Sequence, residues 1–371
     1  MRLDPAALAR RVGGRLIGPG DLRHDGNTFT FVRCFLASAV IFSHAFEVTG
    51  HHLGAGDDPT RAFLRGPISH LAVQLFFSLS GFLVTGSLAK RGVRDFAVAR
   101  ALRLIPGLWV MLGVTTLVLG LAFNSGSFAD LLRSPSLSSY IGYNAALLGK
   151  GYALDGIFMT TPYATAVNGS LWTIPQEVRC YLALGVVGGL GLLGSRRGLT
   201  LAFAVAVIAD LIVPDEALPI LAPLRPLAIS FFFGVLLYLW RDRIILSWPL
   251  GLAAVTGALL LPPGHAGNTA FAMTFAYATL VAAILVPAAW KRASAASPDY
   301  SYGIYIYAFP AQQAAIALGI GTTPYANSVT GFLLTLPFAA ASWHLVEKPA
   351  LALKPRWTRA RASAGPRQAA G

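Results

Sequence analysis

Charged residues are scarce in this sequence. Only 12% of its 371 residues are charged, 55% are hydrophobic, and the mean hydropathy is +0.60. Soluble domains have about 25% charged residues. Half that share, with repeated apolar runs of roughly twenty residues, excludes an ordinary soluble protein and predicts a polytopic membrane protein. Because no long polar segment could fold separately, we predict a single helical bundle.

Cysteine and acidic residues are also few. The two cysteines, Cys34 and Cys180, fall in apolar segments, which excludes a disulfide framework and the ligand spacing of a metal site. We therefore expect no metal. The 29 basic residues outnumber the 16 acidic ones, giving a net charge of +13. The basic residues cluster between apolar runs, which is a signal of membrane topology and not of a nucleic-acid partner.

Ten apolar segments can be placed as membrane spans. They lie near residues 30–48, 71–88, 104–123, 170–194, 199–213, 223–240, 248–263, 269–288, 301–320 and 328–346. Basic residues follow spans two, four, six and eight and flank both ends of the chain, so every second connection is basic. The positive-inside rule places these connections and both termini in the cytoplasm. The expected fold is an all-α transmembrane bundle of about ten spans.

The same pattern divides the chain into three parts. We expect a cytoplasmic N-terminal arm over 1–28, a transmembrane domain over 29–350 and a basic, disordered cytoplasmic tail over 351–371. The first apolar run is long and lacks a cleavage pattern, so it is predicted to stay as a membrane helix. Residues 124–169 are predicted to form an external loop, and a re-entrant helix at 137–149 is left open. Loops of this length are often functional.

Two ionisable residues interrupt the first apolar run, "FVRCFLASAVIFSHAF" at 31–46. Arg33 and His44 are separated by about three helical turns, so they lie on one face about 16 Å apart. An arginine reaching the head groups and a structural histidine would explain them without function. However, ionisable groups inside a membrane usually have a functional role. We therefore expect a shared polar cavity in which the neutral His44 imidazole acts as a general base.

Three further segments carry ionisable residues. Arg100 and Arg103 are one helical turn apart and form a fork suited to phosphate, although basic residues there also anchor topology. Glu177 lies inside span four and needs a partner. Residues i and i+2 do not face each other on a helix, so Arg179 is disfavoured and a partner on another helix is expected. At the end of span ten, Glu347 precedes Pro349, a combination that reads as a helix stop.

Six motifs in order resemble those of one family. They are Arg33-x10-His44, "QLFFSLSGFL" at 74–83, Arg100-x-x-Arg103 before Pro106, "SLWTIPQEVRCYL" at 170–182, "SYGIYIYAFP" at 301–310 and "VEKP" at 346–349. On these motifs the sequence is similar to the acyltransferase-3 family of integral-membrane acyltransferases, which modify extracytoplasmic glycans. The resemblance covers roughly residues 28–350. It also marks five motif residues without an assigned role: Ser80, Gly81, Trp172, Tyr302 and Glu347.

The resemblance implies a reaction. The donor would be cytoplasmic acyl-CoA, most often acetyl-CoA, with Arg100 and Arg103 on its phosphates and Arg33 on its route. The acceptor would be a hydroxyl of an extracytoplasmic glycan or glycolipid. His44 would be the general base, and Glu47 or Glu177 would orient its imidazole. The implied location is the bacterial inner membrane, in contact with the lipid bilayer.

Some features depart from the family or stay open. Gln74 and Ala308 stand where many members have Asp and His, so neither is expected to be catalytic. A polytopic transporter or flippase for a glycan or lipid-linked sugar is the alternative function, because such proteins also carry ionisable residues near the midplane. A homodimer or a polysaccharide-assembly partner is left open. The sequence does not identify the glycan or the acyl group.

Overall fold

The protein is described by a computed structural model of residues 4–51, 57–164 and 166–353, and it is almost entirely helical. The helices are α1 (Pro5–Arg11), α2 (Phe29–Val48), α3 (Arg61–Leu64), α4 (Ile68–Ala122), α5 (Phe128–Arg133), α6 (Pro135–Ala145), α7 (Thr173–Gly189), α8 (Arg196–Ile212), α9 (Arg225–Leu239), α10 (Trp248–Leu260), α11 (His265–Ile284), α12 (Ala288–Ala296), α13 (Ser301–Ala317), α14 (Pro324–Ala341) and α15 (Lys348–Ala352). The predicted all-α class is confirmed.

Short elements complete the description. Strands β1 (Arg15–Leu16) and β2 (Ile245–Leu246) pair antiparallel and attach the N-terminal arm to the start of α10. Single 3₁₀ turns lie at Pro19–Leu22, His24–Gly26, Gly169–Trp172, Leu192–Gly194 and Asp215–Ala217, and a π-helical turn at Ser342–Glu347. The tail predicted at 351–371 lies outside the described residues from residue 354 onward.

Within the described residues, four helical stretches are long and apolar enough to cross a membrane. They are Phe29–Val48, Ile68–Ala122, His265–Ile284 and Pro324–Ala352. Two shorter apolar helices are Arg225–Leu239 and Trp248–Leu260. These stretches support a membrane protein. The count of ten spans and the cytoplasmic position of both termini stay predictions.

Helix α4 is two helices joined at Gly92. This residue has φ 80° and ψ 171°, a conformation that is open to glycine and strained for other residues. The break separates an arm over 68–91 from an arm over 93–122. The sequence placed two spans over the same stretch, with the basic connection between them.

The first arm of α4 packs closely against α9. A Cβ atom added to Gly81 would lie 2.0 Å from the Phe231 carbonyl oxygen, and one added to Gly234 would lie 1.9 Å from the Ser78 oxygen. Neither backbone leaves room for a side chain, so the two helices meet at paired glycines. Small residues at such contacts let helices approach in a membrane, where van der Waals packing drives association. This explains Gly81 as a packing position.

Buried amides join α2, α13 and α14. Gln312 donates to the Ile41 carbonyl at 2.8 Å and to the Asn327 side-chain oxygen at 3.0 Å. Asn327 donates back to the Gln312 carbonyl at 3.0 Å. Since buried amides are costly without partners, these bonds fix how the three helices sit together. They therefore set the position of α2, which carries both Arg33 and His44.

Residues 124–164 contain two helices. The Ser127 hydroxyl oxygen accepts from the Asp130 backbone N–H, and the Asp130 carboxylate accepts from the Ser127 backbone N–H. This pair of bonds is a capping box that starts α5. Helix α6 overlaps the helix considered at 137–149, and its Tyr140 hydroxyl lies 3.1 Å from Thr115 on α4. Whether this helix re-enters a membrane stays a prediction.

The expected helix stop at Pro349 is wrong. Helix α14 continues through the π-helical turn Ser342–Glu347 into α15, which runs to Ala352. Pro349 lies in the first turn of α15, directly after the π turn. The wider π turn places Glu347 inside the protein with 0% exposure.

Candidate active site

Two cavities lie side by side within the bundle. The arginine cavity has a volume of about 100 Å³ and the histidine cavity about 520 Å³. The arginine cavity includes Arg33, Ser80, Arg100, Arg103, Glu177 and Tyr181 in its lining. The histidine cavity includes His44, Glu47, His70, Gln74, Trp172 and Phe309. The shared cavity predicted for Arg33 and His44 is therefore wrong, because Arg33 lines one chamber and His44 lines the other.

His44 lines the histidine cavity without a fixed partner. Its Nδ1 atom is buried and has no hydrogen-bond partner within the described ranges. The ring packs edge-on against Phe309, with centroids 5.4 Å apart. An unsatisfied buried nitrogen in a native fold calls for an explanation, and a ligand or reactant in the cavity would supply one.

Glu47 lines the same cavity one helical turn from His44. Residues i and i+3 face the same side of a helix, and the two groups are close enough to interact electrostatically. His70 is a second ionisable group within that range. Of the two carboxylates considered from the sequence, Glu47 is the one that the fold places in the chamber of His44.

A buried acid network anchors the segment around His44. Asp58 is 3% exposed and accepts from Ser43, the neighbour of His44, at 2.7 Å. Its other oxygen accepts from the Thr60 amide at 2.9 Å, and Ser43 also bonds to Ser69 at 3.0 Å. These bonds connect α2 to the start of α4. They hold the helix that presents His44 in one orientation.

Aromatic side chains form much of the histidine cavity wall. Tyr152, Tyr163 and Trp172 line it together with Phe309, and the Tyr163 and Phe309 rings lie 5.6 Å apart. Tyrosine and tryptophan combine an apolar face with a polar group, so they suit a ligand that has both hydroxyls and C–H faces. The motif residue Trp172 thus belongs to the chamber of His44.

The arginine cavity is backed by a charge network. Asp299 pairs with Arg33 at 2.5 Å and with Arg103 at 2.9 Å, and Arg103 also pairs with Glu347 at 2.8 Å. Arg103 in addition lies over the rings of Tyr302 and Trp343. Arg33 and Arg103 are therefore largely neutralised by carboxylates of the protein itself.

Asp299 was not singled out from the sequence. Burial would raise the pKa of its carboxyl, but the guanidinium groups of Arg33 and Arg103 outweigh this effect and the pKa falls to about 2. The carboxylate also accepts from the Ser301 hydroxyl at 2.6 Å, at the start of α13. An Asp-x-Ser sequence before a helix suggests a cap, but nothing in it reveals partners on α2 and α4.

Arg100 differs from its two neighbours. Its guanidinium forms no ion pair within the described residues, and its buried Nε atom has no hydrogen-bond partner. It lies over the Tyr181 ring, with 5.7 Å from Cζ to the centroid. Arg100 is thus the arginine of this cavity whose charge is left for a ligand. The predicted fork of Arg100 and Arg103 is present in the cavity, with one of its two charges already paired.

Glu177 lies in the arginine cavity and not in the chamber of His44. One of its oxygens accepts from Ser80 at 3.1 Å and from Tyr181 at 2.5 Å. The partner expected on another helix is therefore Ser80 of α4, and Arg179 bonds instead to Gln176 at 2.8 Å. This placement removes the geometric basis for Glu177 as the orienting partner of His44.

Neutralising Glu177 tests whether its carboxylate lies in the arginine cavity close to Arg100. With CoA in the arginine cavity, as the family resemblance implies, we expect Glu177→Gln to lower the dissociation constant for CoA about fivefold, because one negative charge leaves the cavity of Arg100, an effect of about 1 kcal/mol. The amide can still accept from Ser80 and Tyr181, so the melting temperature should change little. Calorimetry with CoA measures the affinity, with the exposed Glu216→Gln as the matched control. Weaker CoA binding by Glu177→Gln alone would contradict this charge balance.

Tyr305 and Val73 line both cavities and so separate them. The Tyr305 hydroxyl lies 2.6 Å from the Thr173 hydroxyl, next to the 3₁₀ turn that carries Trp172. A molecule passing from one cavity to the other would have to pass these two side chains. The arrangement resembles a partition between two binding chambers.

The remaining motif residues have structural positions. Tyr302 donates to the Leu104 carbonyl at 2.8 Å, and a Cβ atom added to Gly107 would lie 2.9 Å from its ring, so Tyr302 packs α13 closely onto the second arm of α4. Ala308 is buried beside Ile41. Gln74 lines the histidine cavity. Across residues 4–51, 57–164 and 166–353, no three His, Cys, Asp or Glu side chains form a metal-binding group.

One family model and two curated proteins match most of the length of this chain. A family described as "Acyltransferase domain" matches residues 27–344. An "O-acetyl transferase" of Shigella phage Sf6 is 28% identical, covering 88% of this chain and 96% of its own length. "Nodulation protein 10" of Rhizobium leguminosarum bv. viciae is 29% identical, covering 91% of this chain and 97% of its own. No solved structure gives a significant match.

Proposed function

The chain belongs to this acyltransferase family, and from that premise we propose that it moves an acetyl group from cytoplasmic acetyl-CoA to a hydroxyl of an extracytoplasmic glycan or glycolipid. One observation carries the proposal. Two adjoining cavities hold complementary groups: Arg100 without an ion pair in one, and His44 without a partner for Nδ1 in the other. The name of the phage relative supports O-acetyl transfer. Family membership favours this enzyme over the transporter alternative.

The donor is proposed to enter by the arginine cavity. CoA carries several phosphate charges, and guanidinium groups bind phosphate through directed, charge-assisted hydrogen bonds. Under the topology predicted from basic connections, this cavity lies toward the cytoplasm. The pantetheine arm would then carry the thioester past Tyr305 and Val73 toward His44.

The acceptor is proposed to enter by the histidine cavity. The neutral imidazole of His44 accepts the proton of the acceptor hydroxyl as its oxygen attacks the thioester carbonyl. The C–S bond breaks, the acyl group stays on the acceptor oxygen, and the imidazolium returns the proton to the CoA thiolate. Glu47 orients the imidazole and stabilises its cation, the role a carboxylate has in a catalytic triad.

Arg100 provides a direct test of the donor site. We expect Arg100→Gln to raise the dissociation constant for CoA about tenfold or more, because a charge-assisted hydrogen bond contributes roughly 1.5–3 kcal/mol. Calorimetry with CoA in detergent measures it. The exposed Arg133→Gln serves as the matched control and should bind CoA like the unaltered protein. Equal affinities for both variants would leave Arg100 as a topology anchor only.

The reaction as a whole is tested with purified protein. We expect acetyl-CoA to release free CoA thiol when deacylated envelope glycan from the producing bacterium is added, with a matching gain of O-acetyl mass on the glycan. The location follows from the same proposal: a multi-pass protein of the bacterial inner membrane, where cytoplasmic donor and external acceptor meet. Thiol release without glycan acylation, at the same rate with or without glycan, would contradict acceptor transfer.

A further inference from the structure

A third cavity adjoins the histidine cavity. This side chamber has a volume of about 210 Å³, and Gln74 and Pro226 line both it and the histidine cavity. Its other polar lining residues are Asp215, Ser230, His265, Asn268 and Thr269. The volume is about seven times that of a water molecule in the liquid. Resting on the proposed function, we propose that the side chamber binds the sugar residue adjacent to the acetylated one, so that the enzyme acts on an oligosaccharide and not on a single sugar.

The charges at the side chamber are already paired. Arg225 binds Asp210 at 2.7 Å and Asp215 at 2.8 Å, and His265 binds the second Asp210 oxygen at 2.5 Å. Arg225 also donates to the Val213 carbonyl at 2.6 Å. Each of these four side chains thus bonds to another of the four, and no free guanidinium among them is left for an anionic ligand. This favours a neutral polyol over a phosphate or a carboxylate.

Three neutral side chains in the chamber keep their hydrogen-bonding capacity. No side-chain hydrogen bond within the described part of the chain is formed by Gln74, Asn268 or Thr269. The Ser230 hydroxyl, in contrast, already donates to the Pro226 carbonyl at 2.9 Å. Two amides and a hydroxyl offer both donors and acceptors, the combination that sugar hydroxyls require. Gln74 stands at the junction, where it can contact sugars on both sides.

The chamber is held in shape before any ligand arrives. The Asp210, Arg225 and His265 bonds connect α8 to α9 and α11, and α9 and α11 carry most of the lining residues. Binding to a preformed site avoids the free-energy cost of ordering loops and side chains. A preformed site that adjoins the cavity of His44 would select acceptors by length.

Acceptor length gives the decisive experiment. The probes are mono-, di- and tetrasaccharide fractions released from deacylated envelope glycan of the producing bacterium, with acetyl-CoA as donor. We expect the unaltered protein to prefer the tetrasaccharide over the monosaccharide in kcat/KM by about tenfold, the effect of one or two hydrogen bonds. The double variant Asn268→Ala, Thr269→Val should bring this ratio close to one, whereas Thr274→Val, on the same helix outside the chamber, should keep it.

The possible outcomes distinguish failure of the side chamber from failure of the proposed function. A double variant that keeps the tenfold ratio, or an unaltered protein that treats all lengths alike, overturns the side chamber while the proposed acetyl transfer stands. An unaltered protein that acylates no fraction, although it binds CoA, overturns the proposed acceptor and the chamber with it. CoA binding by the double variant, measured by calorimetry, confirms that the variant is folded.

Discussion

Replacing His44 by alanine is expected to lower the turnover of acetyl transfer by about 10²–10⁴-fold, the usual contribution of a general base. The Nδ1 atom has no hydrogen-bond partner in the described structure, so the variant loses no bond that stabilises the fold. CoA affinity should stay close to that of the unaltered protein, because Arg100 lies in the neighbouring cavity. Turnover is measured by thiol release and affinity by calorimetry.

A control and a pH profile sharpen this test. The exposed His24→Ala variant should transfer acetyl at the normal rate. Transfer by the unaltered protein should decline toward acid pH, because an imidazolium cannot accept a proton. If His44→Ala retained transfer within threefold of the unaltered protein, the assignment of the base would be wrong.

Removing the guanidinium of Arg103 is expected to destabilise the protein strongly. Glu347 is 0% exposed and pairs with Arg103, so Arg103→Met leaves a buried carboxylate without its cation. Breaking a buried pair in this way costs about 3–5 kcal/mol. Asp299 is affected less because it keeps Arg33. The expected result is a clear fall in melting temperature in detergent.

Two companion variants test whether the stability lost in Arg103→Met comes from the buried charge of Glu347 or from the loss of an ion pair as such. Adding Glu347→Gln to Arg103→Met removes the orphaned charge and should recover at least half of the lost stability. Arg196→Met breaks an exposed pair with Asp242 and should cost less than about 1 kcal/mol. A melting temperature of Arg103→Met equal to that of Arg196→Met would contradict a structural role for this network.

The parts of the site that were predicted depend on local spacing. The eleven-residue interval between Arg33 and His44 sets their positions along one helix, and that helix forms as expected over Phe29–Val48. The apolar runs around Gly92 likewise predicted two helices. Such patterns repeat within a few turns, so a sequence displays them directly.

The parts that were missed depend on contacts between distant segments. Asp299 reaches Arg33 and Arg103 across 266 and 196 positions, and no local pattern encodes such a pairing. Depth along a helix suggested Glu177 as a neighbour of His44, but the rotation of α7 turns it toward Ser80 instead. Pro349 was interpreted as a helix stop because a π turn before it cannot be foreseen from helix signals.

Acetyl transfer across the membrane is tested most directly with donor and acceptor on opposite sides of a bilayer. Proteoliposomes enclose deacylated envelope glycan, and acetyl-CoA with a labelled acetyl group is added outside. Transfer across the membrane through the two cavities should give labelled glycan inside with the unaltered protein and none with His44→Ala, while intact acetyl-CoA stays outside. Labelling that required acetyl-CoA and glycan on the same side, or that persisted in His44→Ala vesicles, would contradict it.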